Sequence, residues 1–371
     1  MRILHISKYY YPYIGGVENI CKYIADNSKN HQVAILCFND GKQDVVDEVD
    51  GLKVYRVGTW VNISRQALSP SYSKMMKMAF NEFQPDVVQF HWANPFPAAI
   101  LLRVIPKDVK LIVHWHMDII KQSVIYRLIK PVETALLKRA DKIVCTSPCY
   151  GDGSKPLQPF KNKISVVPNA IDESNFIIQD GDTNAIETLK SKYNHKKIVF
   201  FVGRHIQYKG LPYLIEAEKY VKSNCVFLIA GSGPLTDDIK SSCNSDRVHF
   251  VGRLSDDELR QYHYAADVFA FPSITKNEAF GVALAEAMYC YTPAVTFTIV
   301  GSGVNWVNLD GVTGIECPNG DAKSFAAAID ELMSNGELAL KYSQNAHDRV
   351  AQNFTIPQMM EKMDDVYASI V

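Results

Sequence analysis

Short, nearly uninterrupted apolar runs recur along the chain with polar segments of helical spacing between them. No other feature constrains the fold as tightly. In the first half the runs are RILHIS, QVAILCF, KVYRV, DVVQFH, KLIVHWH, KIVCTS and KISVVPN; in the second they are KIVFFVG, VFLIAG, VHFVG, VFAFPS and PAVTFTI. Residues apolar on successive positions suit strands buried on both faces, as in a parallel sheet. Segments such as GVENICKYIADNS and YLIEAEKYV have helical spacing. Strand–helix alternation in two blocks predicts an α/β protein with two doubly wound domains. The polar, turn-prone stretch at Pro168–Phe176 is the expected hinge, and 371 residues is too long for one ordinary core.

Composition narrows the function classes. The chain is 47% hydrophobic and 21% charged, with a net charge of −1, as in soluble globular proteins. No apolar run is long enough to span a bilayer, and MRILHIS reads as a strand rather than a secretion signal. Eight cysteines without a CxxC pair suggest thiols in a reducing cytosol; Cys145 and Cys149 lack the nearby histidines of a zinc site. The charge is uneven. Residues 1–170 carry 22 Lys and Arg against 14 Asp and Glu, and the remainder carries 17 against 26. A basic first half suits phosphates or an anionic membrane surface; dispersed surface charge without a partner is the plainer reading. The basic residues form no nucleic-acid-binding motif, so nucleic acid is not an expected partner.

In doubly wound sheets, ligands bind where loops leave the C-terminal strand ends. After the first strand, Gly15-Gly16 falls where a helix begins, so bare backbone amides can approach an anion, although the strict GxGxxG dinucleotide fingerprint is absent. After KIVFFVG, Arg204 and Lys209 flank a loop that ends at a helix N-terminus, a cradle for a diphosphate. Gly231 and Gly233 make another tight strand-to-helix turn, suited to close approach of a ring or ribose. In TKNEAFGVALAEAM, Gly281 is expected to open a helix. This leaves Glu278 in the loop and Glu286 about a turn and a half inside. Main-chain amides at Ala279, Phe280 and Gly281 suit sugar or phosphate oxygens. Glu286 can hold two adjacent ribose hydroxyls and Glu278 those of a transferred sugar. Taken alone, the two glutamates read more simply as a solvated helix face.

VHWHMD places His114, His116 and Asp118 alternately at a strand end, on one face while the chain stays extended. His91, in FHWANPF, ends another strand. These are candidate donor- or acceptor-contacting groups, with no further carboxylate or cysteine close in sequence to complete a metal site. The following segment carries Lys121, Arg127, Lys130, Lys138 and Arg139 off its apolar positions, and Pro131 is expected to split it into two helices.

These motifs, taken in order, resemble the retaining GT-B glycosyltransferases of the family 4, group 1 type. The resemblance rests on Gly15-Gly16, VVPNAID at 166–172, GRHIQYKG at 203–210, GSGP at 231–234, the E-x7-E pair Glu278 and Glu286, and GSGVNWVNLDGVTGIECPNGD at 301–321. HWHMDIIKQS and GSGVNWVN are similar to enzymes that assemble bacterial surface polysaccharides. It implies two Rossmann-like domains facing across a cleft: an acceptor-side domain at 1–170 and a nucleotide-sugar domain at 171–352. A C-terminal helix at 353–371 would return to the first. It also implies roles. Arg204 and Lys209 would bind the nucleotide diphosphate, Glu286 the ribose and Glu278 the donor sugar; Gly15-Gly16 would face the phosphate, and His116 would sit beside the reacting carbon. No DxD motif follows a strand, so no required metal and no cofactor are expected; the nucleotide sugar is a substrate and a glycan or lipid-diphosphate-linked glycan the acceptor. A cytoplasmic enzyme, peripheral on the inner membrane face, is the implied setting. The chain departs from the family at Tyr289-Cys290-Tyr291, where bulk either alters packing or narrows the nucleotide pocket. The rival readings are a GT-B-fold sugar-nucleotide epimerase or hydrolase, and a non-catalytic sugar-nucleotide-binding subunit.

Overall fold

The structure, a computed structural model, describes residues 1–371 except 14, 64–65, 120–122 and 371. Lys121 therefore lies outside the described residues. Contacts divide the chain into two units, Met1–Pro168 with Ile356–Val371, and Asn169–Thr355.

The first unit holds β1 (Arg2–Ile6), β2 (Gln32–Asn39), β3 (Val45–Val49), β4 (Leu52–Gly58), a small hairpin of β5 (Val61–Ile63) and β6 (Gln66–Leu68), β7 (Val87–Trp92), β8 (Lys110–Trp115), β9 (Lys142–Cys145) and β10 (Ile164–Val166). Its main sheet runs β10-β9-β8-β7-β1-β2-β4-β3, parallel except for β3. The order reverses between β1 and β7, which pair in parallel from Ile3 with Val87 to Ile6 with Phe90. The central strands bury both faces: Leu4, Ile6, Val88, Phe90, Leu111 and Val113 are enclosed on one, and Ile3, Val87 and Ile112 on the other. Each such side chain contributes about 1.5–3 kcal/mol of transfer free energy.

The second unit contains β11 (Lys197–Val202), β12 (Cys225–Ala230), β13 (Val248–Gly252), β14 (Val268–Phe271), β15 (Ala294–Phe297) and β16 (Gly314–Cys317). The order β13-β12-β11-β14-β15-β16 is all parallel. It is the doubly wound dinucleotide-fold order, with its switch point between β11 and β14.

Pro131 does not split its segment. One helix spans Ser123–Arg139 with Pro131 inside it. Pro131 and Arg127 are both exposed, so the carbonyl that loses its donor lies on the wet side, where water can satisfy it. The terminal helix, Ile356–Ala368, packs with the first unit: Tyr367 donates its hydroxyl hydrogen to Gln89 Oε1 at 2.5 Å. Among the described residues no helix is long and apolar enough to cross a membrane.

Candidate active site

At the second unit's switch point, the loops leaving β11 and β14 are joined. Ile274 N donates to Tyr208 O at 2.9 Å. Gly210 has φ +67°, and a Cβ there would lie 1.8 Å from Pro272 O, so no other residue allows this approach without backbone movement. The join brings Lys209 to Glu278: Nζ lies 2.5 Å from Oε2, with side chains only 13% and 11% exposed. Burial opposes the lysine's charge, but Glu278, Tyr208 and Glu286 overcome it and hold the ammonium above its ordinary range. Arg204, by contrast, is exposed, with no ion pair among the described residues. The two cations of the proposed cradle are thus unequal: one is committed to a carboxylate and one is free.

Gly281 caps the helix Val282–Tyr289 in the left-handed conformation, φ +95°. Glu278 therefore stays in the loop and Glu286 inside the helix, as the spacing predicts. Glu286 is half-buried; burial raises its carboxyl to about 7, with Lys209 pulling it down and Asp256 adding to the rise. Phe280 turns its ring into the core against Phe354, leaving only its main chain to meet a ligand. The GSGVNWVN segment braces this loop from behind. Ser302 Oγ donates to Glu278 O, and Gly303 N donates to Ala279 O at 3.0 Å. Ser273 Oγ adds a long contact of 3.4 Å to Glu278 Oε2. The bulky Tyr289 and Tyr291 pack on His347, whose Nδ1 lies 2.6 Å from Tyr289 O; Tyr291 stacks on its ring at 3.9 Å. The departure from the family pattern is thereby taken up in packing against the helix Gly336–Asn353.

The loop after β12 is zipped to the loop after β11. His205 N donates to Ser232 O, Leu235 N donates to His205 O, and His205 Nδ1 meets Thr236 Oγ1 at 2.9 Å. Gly231 has φ +103°, and a Cβ would lie 2.0 Å from Gly203 O. A Cβ at Gly233 would meet the His205 backbone. Both glycines therefore have a packing reason, and His205, whose sequence position gives no sign of it, ties the two loops together.

In the first unit, Gly15 caps the helix Gly16–Asn27, as expected. That N-terminus already has an acid in its first turn: Glu18, whose carboxyl is raised chiefly by burial and turns back onto its own amide. An anion arriving at Gly15-Gly16 would meet this carboxylate.

The histidines form an array that sequence spacing only partly indicates. In register, His5 of β1 faces Gln89, and His91 of β7 faces His114 of β8. With His116 beyond the strand end, this puts His5, His91, His114 and His116 together, all buried. His5 Nδ1 lies 3.1 Å from His91 Nε2, and His91 Nδ1 lies 2.9 Å from His116 Nε2. Gln89 Nε2 lies 3.1 Å from His114 Nδ1. Burial holds His5 and His116 at about 3 and pushes His91 and His114 well down, so all four are neutral near pH 7. His91, His114 and His116, and likewise His5, Cys21 and His91, offer ligand atoms within 4.8 Å of one another. Their rings are nearly parallel, however, with interplanar angles of 9–26°. Direct ring–ring contacts already engage His5 Nδ1, both nitrogens of His91 and His116 Nε2. The arrangement is a hydrogen-bonded array rather than a tetrahedral chelate.

The one-face expectation does not extend to Asp118. β8 ends at Trp115, and alternation ends with it. The carboxylate instead accepts from Trp115 Nε1 at 2.9 Å and Ser154 Oγ at 2.6 Å, and Asp118 N donates to Tyr150 OH.

Comparison with known proteins agrees with this architecture. Residues 14–175 match the Glycosyltransferase Family 4 model and residues 182–349 the Glycosyl transferases group 1 model. The O-antigen chain mannosyltransferase C of Escherichia coli is 27% identical over 100% of this chain and 99% of its own. The D-rhamnosyltransferase WbpZ of Pseudomonas aeruginosa is 28% identical over 96% of this chain and 92% of its own. Among solved structures, Anabaena HepE in complex with UDP superimposes with a TM-score of 0.80 at 19% identity, covering 100% of both chains. The chain belongs to the GT-B glycosyltransferases that pair a family 4 domain with a group 1 domain.

Proposed function

We propose that this glycosyltransferase moves a sugar from a nucleotide-diphosphate donor to a glycan or lipid-diphosphate-linked glycan in bacterial surface-polysaccharide assembly, with retention at the anomeric carbon and without a required metal. The observation that carries the reading is the group gathered at the β11/β14 switch point. Arg204 stands free for a diphosphate, Lys209 is fixed against Glu278, and Glu286 lies within the electrostatic reach of Lys209. Cations beside a helix N-terminus stabilise a leaving diphosphate as its charge develops. Glu286 takes the ribose hydroxyls, Glu278 the donor sugar, and His116 the sugar near its reacting carbon. The mannosyl- and rhamnosyltransferase relatives support the glycan acceptor, and the UDP-bound neighbour supports a nucleotide donor. Exposed Arg127, Lys130 and Lys138 around exposed Leu128 suit a peripheral contact with anionic lipid. Arg139 is instead used internally, donating to Val109 O at 2.6 Å.

The test is a thermal-shift panel of UDP-, GDP-, dTDP- and ADP-sugars, run with and without EDTA. A ligand bound only by the folded state raises the melting point. One nucleotide class should stabilise the protein equally in both conditions. Stabilisation by none, or only with an added divalent ion, would count against the reading.

A further inference from the structure

Three of the first unit's imidazoles form a chain with His91 in the middle. Its Nε2 meets His5 Nδ1 at 3.1 Å and its Nδ1 meets His116 Nε2 at 2.9 Å. A neutral imidazole has one N–H and one lone pair, and each contact needs one of each. Only two proton arrangements satisfy both contacts. In the first, His5 donates from Nδ1 to His91, His91 donates from Nδ1 to His116 Nε2, and His116 carries its hydrogen on Nδ1. In the second every bond is reversed: His116 carries its hydrogen on Nε2, and His5 carries its own on Nε2.

The far end of the chain distinguishes them. His5 Nε2 is sealed from solvent and has no hydrogen-bond partner among the described residues. The second arrangement strands an N–H there, and the first leaves only an unused lone pair. Buried N–H groups without acceptors are the rarer and costlier defect. At the other end, His116 Nδ1 makes no hydrogen bond among the described residues and is not one of the sealed, unpartnered nitrogens.

We propose that His91, backed by His5, is a positioning residue that fixes His116 in the Nδ1–H form, so that the nitrogen left for the substrate is an uncharged hydrogen-bond donor. This rests on the reading of His116 as a contact to the donor sugar. It gives that contact a direction: His116 donates to a sugar oxygen. Because the donor is neutral, it adds no positive charge beside a carbon that becomes positive as the glycosidic bond to the diphosphate breaks.

The test is two-bond ¹⁵N–¹H correlation on the full chain labelled at histidine nitrogen, with His116 assigned through His116→Ala. The wild type should show His116 protonated at Nδ1 and bare at Nε2. His91→Phe keeps a ring in the stack but cannot donate; it should move the His116 proton towards Nε2. It should also lower kcat about tenfold, with donor KM changed less than about threefold, as for one hydrogen bond used in the transition state. A wild-type His116 protonated at Nε2 overturns the proposal. So does a His91→Phe chain whose His116 signals are unmoved. The wild-type spectrum decides even where His91→Phe fails to fold. Undiminished transfer by His116→Ala would defeat the reading of His116 as a sugar contact, while the spectrum still reports the tautomer.

Discussion

Glu278→Gln separates the structural and chemical work of one carboxylate. In the free protein Glu278 neutralises Lys209 at 2.5 Å, with both side chains nearly enclosed. Breaking a fully buried pair by removing one partner costs about 3–5 kcal/mol, because the survivor is left charged and unpaired. Glutamine keeps an accepting oxygen and the site keeps some exposure, so the expected cost is about 2–3 kcal/mol. For a unit the size of Asn169–Thr355, each kcal/mol shifts the melting point by roughly 2–4 °C, giving a fall of roughly 4–12 °C. A nucleoside diphosphate should then stabilise the variant more than the wild type, since its phosphates can replace the lost carboxylate as the partner of Lys209. Transfer should fail differently: kcat falls more than donor KM rises, because Glu278 meets the sugar that moves. The assays are calorimetry with and without nucleoside diphosphate, and steady-state kinetics. An unchanged melting point with normal kinetics would return Glu278 to a solvated surface role. Loss of nucleoside diphosphate binding in this variant alone would mean that the two glutamates have exchanged roles.

Arg204→Ala should leave the melting point within about 1 °C, since Arg204 is exposed and has no ion pair among the described residues, yet weaken nucleoside diphosphate binding by about tenfold or more in calorimetric titration. Glu286 titrates near 7, and only its carboxylate accepts from two ribose hydroxyls. Donor KM should therefore fall as pH rises from 6 to 8, and Glu286→Gln should raise KM and flatten that profile. His263 is buried among Phe176, Phe200 and Phe269 with neither ring nitrogen bonded among the described residues, and burial lowers it to about 3. The unfolded chain binds this proton first, so stability is lost as pH falls below about 6.5. His263→Leu should gain about 2 kcal/mol over the wild type between pH 8 and pH 5 in denaturant melts.

The parallel strands were legible because burial on both faces makes their runs apolar at every position, as in VFLIAG for β12. The strands that escaped notice lack this signal. β3, VVDEV, is an exposed antiparallel edge; β5 and β6 have three residues each; β16, GIEC, is short and closes the other sheet's edge. The site divides the same way. Gly281 opening a helix between the two glutamates is a local matter and was readable. The Lys209–Glu278 pair joins residues 69 positions apart through the meeting of two loops at a switch point, which only topology creates. His5 had a signal of a kind, a histidine near the end of a strand like His91 and His114, but its bond to His91 spans 86 positions. Proline's cost to a helix interior does not by itself end the helix, and at Pro131 the carbonyl left without a donor lies on the exposed side. Glu18 carried no local signal, since an acid in a helix's first turn is ordinary and only its burial sets it apart.

The group at the β11/β14 switch point is proposed to hold a diphosphate that leaves as its sugar passes to another molecule. The most direct test of this is to follow nucleoside diphosphate release and acceptor elongation together, with the stabilising sugar nucleotide and a lipid-diphosphate-linked glycan. One elongated acceptor is expected per nucleoside diphosphate released, with both lost together in the Arg204→Ala/Lys209→Ala double variant. Diphosphate release or sugar epimerisation without elongation, or wild-type turnover by the double variant, would contradict it.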